Sequence, residues 1–415
     1  MNTTGFKKLI AVIPAAIGIG FFAALIGITL KTITEKYEHT LFSFAENHSY
    51  VFILLPAIGL FAIYLLRHSL FKNKPNKGIK EIFEAIKTRS QHLPAYKIPS
   101  HYINGFLTVI FGGSTGIEVS SVVASAAIGS AGNKKFRILR MYKTEFMCAG
   151  AAAAIATLFN SPLAGLLFSF EVLSKKVTKT SALISITAVC CALLLNYMLQ
   201  EQPLFAVSIS GWNTFAIPYF ILLGMLAAIN SVYLTSCVLF FKNLFSKIKA
   251  EQKKIAIGAT AIGVCLFIFP ALFGEGYHSI SELLGSDHTA ISSTLLFSFV
   301  GILIFKPIIT SLTLSSGGDG GIFAPSLFIG AFLGLLTAYI LNHFFNAGVL
   351  PLNFMIIGMG AVLSSSIHAP FTAIFVTCGI IGSYALIIPL LIACLVSKFT
   401  SKKLLPYTVY SYTGK

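Results

Sequence analysis

The chain has 415 residues, of which 56% are hydrophobic and 11% charged, against about 25% charged in an ordinary soluble domain. This excludes a soluble globular protein and points to a chain that lives in a lipid bilayer. The formal net charge of +16 does not describe a nucleic-acid surface, because the basic residues fall in short clusters between apolar runs.

In chain order, apolar runs near the roughly 20 residues a spanning helix needs lie at 9–30, 51–66, 180–200, 214–241, 255–273, 290–312 and 380–397. Shorter pieces broken by Gly and Pro lie at 102–111, 117–132, 146–158, 161–174, 322–342 and 353–376. The first run continues to Leu30 without a polar cleavage region, so it reads as a retained helix and not a signal peptide. The seven cysteines, at 148, 190, 191, 237, 265, 378 and 394, are scattered through apolar segments without metal-ligand spacing and read as small core residues. No metal or other cofactor is expected.

The positive-inside rule sets the orientation. Lys7 and Lys8 put the N-terminus in the cytoplasm, and the 36–50 loop with Glu38 and Glu46 lies outside. The loop from Arg67 to Lys80, the stretch Lys134 to Lys143, the cluster Lys175, Lys176 and Lys179, the loop Lys242 to Lys254 and the tail from Lys398 are inside. The loops 201–213, 275–289 (with Glu275, Glu282 and Asp287) and 343–352 are outside. Every basic loop falls on one side only if 81–130 and 146–174 enter the membrane and return, so the charge pattern demands re-entrant segments. The expected location is the cell (inner) membrane, with both termini cytoplasmic.

An internal repeat emerges on alignment. GSTGIEVSSVVASAAIG (113–129) lies on GDGGIFAPSLFIGAFLG (318–334), NSPLAGLL around Pro162 on HAPFTAIF around Pro370, and NKGIKEI (76–82) on GEGYHSI (274–280). One copy is entered from a cytoplasmic loop and the other from an external one, so the copies are inverted. Repeats of this kind place a substrate near the bilayer midplane, where broken helices present their N-termini. A helix N-terminus has four unpaired N–H groups and about half a positive charge, so converging N-termini form an anion site. The backbone amides near Ile117, Val119, Ile322 and Phe323 are expected to point at one dehydrated anion.

LSSGGDGGIFAPSLFIGA (314–331) resembles the most characteristic filter segment of the CLC chloride channels and chloride/proton antiporters. GAAAAIATLFNSPLAGLLFSFEV (150–172) resembles the family's alanine-rich hairpin and its FNAPLAG-type motif, and GSTGIEVSS stands where the family has its G(R/K)EGP motif. The resemblance runs from about 10 to 410. It implies that Glu118 is the gating glutamate, that the amides of Ile322 and Phe323 hold the central anion, and that Tyr407 supplies the hydroxyl below it, with Tyr410 as the alternative one turn on. It also implies chloride or a similar small anion as substrate, a homodimer, and protons as a second substrate in the antiporter branch.

The chain departs from the family pattern in four ways. Ile117, Val119 and Ser120 replace the Arg, Gly and Pro that flank the gating glutamate. NKGIK stands for the family's GSGIP and puts Lys77 where a serine contacts the anion, so Lys77 either holds an anion or snorkels to the cytoplasm. Val172 stands where antiporters carry their internal proton glutamate, which favours passive channel-like conduction, with chloride/proton antiport as the alternative. The residues after Ser397 leave no room for the cytoplasmic regulatory domains of eukaryotic members.

Plainer readings compete at several positions. Glu118 also suits a helix N-terminal cap. Glu171 reads as a helix-end ion pair with Lys175 four residues on. Asp319 reads as a turn former, Lys306 beside Pro307 as a structural anchor, and His368 as a polar bracket at a helix junction. GGST around Ser114 hints at a serine nucleophile, but no histidine stands at a matching depth apart from His368, so no enzyme is expected. The fold expected is an all-α polytopic membrane protein of two inverted-topology repeats with re-entrant and broken helices. It forms one transmembrane domain over 1–415, with repeats at 9–200 and 214–397 and a cytoplasmic tail at 398–415.

Overall fold

The structure is a computed structural model and describes residues 3–412 apart from 75, 89–91, 132–139, 206, 210 and 286–292. The basic residues at 134–137, Asp287 and the side chains of Lys7 and Lys8 lie outside the described residues. Among those described, the regular structure is helical. In chain order it comprises α1 (Thr3–Asn47), α2 (Val51–Ser69), α3 (Ile79–Thr88), α4 (Lys97–Ile110), α5 (Glu118–Ala131), α6 (Lys143–Leu158), α7 (Pro162–Leu167) and α8 (Lys179–Met198). It continues with α9 (Ile217–Ser246), α10 (Glu251–Ile268), α11 (Tyr277–Gly285), α12 (Ser293–Ser315), α13 (Phe323–Phe345), α14 (Pro351–Ile367), α15 (Pro370–Ile381) and α16 (Ile387–Leu404).

Among the described residues, six helical stretches are long and apolar enough to cross a membrane: 12–47, 51–69, 179–198, 214–246, 296–315 and 323–345. The shorter apolar helices, 10 to 17 residues long and too short to span alone, include α5, α14 and α15. Three boundaries differ from the sequence reading. The external 36–50 loop is helical as far as Asn47, because nothing in 31–47 breaks the helix. The run at 380–397 is interrupted, since Gly382 takes a φ of +70° and ends α15. The tail begins later than 398, because α16 runs to Leu404 with Lys402 and Lys403 in its last turn, where cations oppose the helix dipole.

Prolines and left-handed residues set the broken helices. α6 stops before Asn160 (φ +47°), and α7 starts at Pro162, where a missing N–H costs nothing. α14 stops at His368 (φ +55°), and α15 starts at Pro370. Asn160 and His368 therefore do the same work in the two copies, as a polar bracket at each junction. Glu171 sits in a π-helical turn, Phe168–Ser174, that continues α7. Its carboxylate accepts from the Thr372 amide at 2.9 Å and hydroxyl at 2.8 Å. It thus caps α15 across the repeat boundary, and the ion pair expected with Lys175 is not the contact made, because Lys175 turns left-handed (φ +54°) out of the helix.

The inverted repeat is visible bond by bond. Thr108 at the end of α4 and Thr313 at the end of α12 are equivalent, and each carbonyl accepts from the glycine five residues on, Gly113 at 2.8 Å and Gly318 at 3.0 Å. Each hydroxyl reaches into the opposite copy: Asp319 N–H donates to Thr108 Oγ1 at 2.9 Å, and Ser114 N–H to Thr313 Oγ1 at 3.2 Å. Between them Gly116 and Gly321 exchange N–H···O bonds, both 3.2 Å, in an antiparallel bridge. The N-termini of α5 and α13 therefore start from one point, and this meeting positions the site.

Small residues let the helices approach. A methyl group built on Gly330 of α13 would collide with the carbonyl of Gly358 in α14, and one on Gly358 with the carbonyl of Gly330. We predict that Gly330→Ala costs about 1–3 kcal/mol through overpacking. An unchanged thermal midpoint of the purified variant in detergent would contradict this.

Candidate anion site

Glu118 is the first residue of α5 and its side chain is 2% exposed. The Tyr277 hydroxyl donates to one carboxylate oxygen at 2.5 Å. The other oxygen has no partner within hydrogen-bond geometry, and the backbone N–H groups of Glu118 itself and of Ala324, in the first turn of α13, act on the carboxylate as a whole. It fills the space in front of Gly116, where a side chain would collide with it. The carboxylate therefore lies between the two facing helix N-termini. The cap reading and the gate reading describe the same position: an anion supplied by the protein where two helix dipoles favour one.

The structure sorts the other expected ligands. Ile322 N–H donates to the hydroxyl of Tyr410 at 3.4 Å. Tyr407 instead packs its ring against Tyr412, 4.9 Å between centroids. The hydroxyl at the Ile322 amide is thus that of Tyr410 and not that of Tyr407. Phe323 is fully buried between Phe159 and Phe168, with ring centroids 6.3 and 5.8 Å away. Val119 is buried and borders, with Tyr410 and Gly321, a cavity of about 100 Å³ on the side that the charge pattern assigns to the interior, the inner side.

Lys77 is not an anion ligand in this arrangement. Its ammonium points outward to Glu84 at 3.5 Å with the side chain 56% exposed, which is the snorkelling alternative. Asn76 turns inward in its place and donates to Asp319 at 2.5 Å. Ile117 also differs from expectation. Its amide donates to the Glu275 carboxylate at 2.7 Å, so a protein group already takes the N–H expected to face the anion. Val172 is buried in the apolar wall, 5% exposed.

Three groups of residues escaped the sequence reading. Glu275 and Tyr277 were placed in an external loop, yet GEGYHSI had already been matched to NKGIKEI, and that match was the available signal. On the inner side, Asp319 does more than form its turn with the Gly320 amide at 3.0 Å. It pairs with fully buried His101 at 2.9 Å, and Lys97 pairs with Glu81 at 2.8 Å beside them. Arg67 donates to the Gly317 carbonyl at 2.8 Å and closes the same turn. Lys306 is the anchor expected of it: fully buried, it donates to the carbonyls of Leu272 and Gly274, both at 3.2 Å, and lies 4.3 Å from the Phe328 ring centre. Among the described residues, no group of three or more His, Cys, Asp or Glu could hold a metal ion.

The sequence model of the family described as "Voltage gated chloride channel" matches residues 58–402. The chain belongs to that family. Within the CLC family it is 27% identical over 361 residues to a putative ClcB-like chloride channel protein of Ralstonia nicotianae, covering 84% of this chain and 82% of that one. It is 28% identical over 372 residues to the voltage-gated ClC-type chloride channel ClcB of Escherichia coli, covering 88% and 87%. Among solved structures its fold is similar to a slow cyanobacterial Cl-/H+ antiporter, with a TM-score of 0.83, 22% identity and 96% of each chain covered. It is also similar to a CLC-type fluoride/proton antiporter, with a TM-score of 0.82, 24% identity and 97% of each chain covered. Among CLC chains the fold is thus shared well beyond the level at which the sequences agree.

The swap of tyrosines carries a prediction. Tyr410→Phe should weaken halide binding to the purified protein by about tenfold, since one hydrogen bond to a charged group is worth about 1.5–3 kcal/mol, while Tyr407→Phe changes nothing. Calorimetric titration with chloride checks it, and equal effects of the two variants would contradict the assignment.

Proposed function

We propose that this CLC protein carries chloride or a similar small anion across the membrane in exchange for protons, with Glu118 as the gate. The observation that carries the reading is the Glu118 carboxylate between two helix N-termini. A bound anion and that carboxylate compete for the same donors, so the anion advances when the carboxylate is protonated or swings away. The amides of Ile322 and Phe323 and the hydroxyl of Tyr410 form the inner half of the site in this reading. The first repeat (9–200) then contributes the gate and the second (214–397) the wall.

Passive conduction was the first reading of the sequence, on the strength of Val172. Exchange is better supported, because two solved chains that share this fold over nearly its whole length are described as a Cl-/H+ and a fluoride/proton antiporter. Val172 remains the specific observation on the passive side, since a buried valine cannot relay a proton, and exchange requires an inner proton route that does not use position 172. Purified protein in liposomes decides between them. With an anion gradient imposed and the membrane potential clamped, uphill proton movement is expected, and anion flux without it would return the reading to a passive channel.

A further inference from the structure

The two carboxylates nearest the filter are related in a way the repeat makes plain. Glu118 belongs to the first copy and bears on the N-terminus of α13 in the second. Glu275 belongs to the second copy and accepts from Ile117 N–H at the N-terminus of α5 in the first. In the equivalent place, Ile322 N–H has the hydroxyl of Tyr410 as its partner. Glu275 thus occupies, from the opposite side, the kind of donor that the inner site offers to an anion.

Its surroundings are built rather than incidental. The Glu275 side chain is 2% exposed, its own N–H donates to Glu38 Oε1 at 3.0 Å, and Lys306 holds the preceding carbonyl, Gly274 O, at 3.2 Å. The charged and titratable groups that face it are Glu35 and Glu38 from α1, Glu118 from α5, Lys306 from α12 and Tyr277 from α11. Carboxylates therefore outnumber ammonium groups around a nearly dry centre, an arrangement that penalises each uncompensated charge and favours holding a proton. Two buried polar atoms beside the cluster lack partners: the second oxygen of Glu118, and the hydroxyl of Thr34, one turn before Glu38 on α1. A cavity of about 250 Å³ lined by Glu35, Glu38, Glu275, Tyr277 and His278 reaches the cluster from the side opposite the inner cavity.

We propose that Glu275 is a second, protonation-controlled plug that closes the outer approach to Glu118. A proton arriving from water in the acidic cavity adds to the Glu275 carboxylate. The neutral acid is a weaker acceptor for Ile117 N–H, the contact loosens, and an anion can take the freed amide. The acidic lining attracts protons and repels anions, so the outer approach opens only when it has been partly neutralised. This rests on the transport reading above but assigns a role to a different residue.

The test uses anion efflux from liposomes at varied outer pH. In Glu118→Gln the first gate no longer titrates, and the remaining flux should still rise roughly threefold or more as outer pH falls through a window above the ordinary carboxylate range, since the surroundings of Glu275 favour its protonated form. In the double variant Glu118→Gln with Glu275→Gln the profile should be flat. A flat profile in Glu118→Gln, or an unchanged slope in the double variant, overturns the proposal while leaving anion transport intact. Absence of anion flux in the wild type overturns the transport reading and the role of Glu275 within it. Bromide soaked into Glu275→Ala provides a readout that needs no transport: an anomalous peak at the Ile117 amide is expected, and its absence counts against the plug. If the double variant fails to fold or Glu118→Gln is silent, the bromide result decides.

Discussion

Glutamine at position 118 should leave anions moving while uphill proton movement falls at least about tenfold. The substitution preserves shape, and its side-chain oxygen can still accept from the Tyr277 hydroxyl, now 2.5 Å from a carboxylate oxygen. What disappears is the charge. A neutral amide neither competes with an anion for the N-termini of α5 and α13 nor carries a proton between the two sides of the filter. An ionised carboxylate near the bilayer centre costs about 2.5–3.5 kcal/mol, and the converging N–H groups offset that cost only while no other anion uses them. Parallel recordings of anion efflux and proton uptake from one liposome preparation check the expectation. Proton movement that stays coupled in the variant would remove Glu118 from the exchange cycle.

Asp319→Ala should produce the largest loss of stability. Asp319 accepts from the His101 ring at 2.9 Å, from Asn76 at 2.5 Å and from the Gly320 amide at 3.0 Å. His101 is fully buried, and Glu81 and Lys97 beside it are nearly so. Removing one member of a buried charged network costs about 3–5 kcal/mol, because its partners are left desolvated without compensation. The loss should also free the Gly317–Gly320 turn, so halide binding falls together with the thermal midpoint in detergent. Asp319→Asn keeps hydrogen-bonding capacity and should lose less. A variant as stable as the wild type would mean that the inner network contributes little to the filter's shape.

Much of the architecture was legible from spacing. GIE and GIF, each after a glycine-rich turn, located the two N-termini because few other residue patterns both end a loop tightly and open an apolar helix. NSP and HAP located the two helix breaks, because proline after a left-handed residue restarts a helix and cannot continue one. Glu118 stood out because carboxylates are scarce in apolar segments. Tyr410 could not be chosen over Tyr407 from sequence, since two tyrosines three residues apart differ only in where the chain turns after α16. Lys77 stayed open for a related reason: a long side chain at a motif position can point either way, and in the fold the inward place goes to Asn76.

The sequence by itself determined the class, the inverted duplication and the buried carboxylate at the N-terminus of α5, because each is written in local features: apolar length, charge asymmetry, Gly and Pro placement. Only the tertiary structure decided what surrounds that carboxylate. Glu275, Glu38 and Lys306 lie far from Glu118 in the chain, and their charges meaningfully interact only once α1, α5 and α12 exclude water from the space between them. The strength of a charge interaction is set by the dielectric around it, and that is a property of the folded molecule.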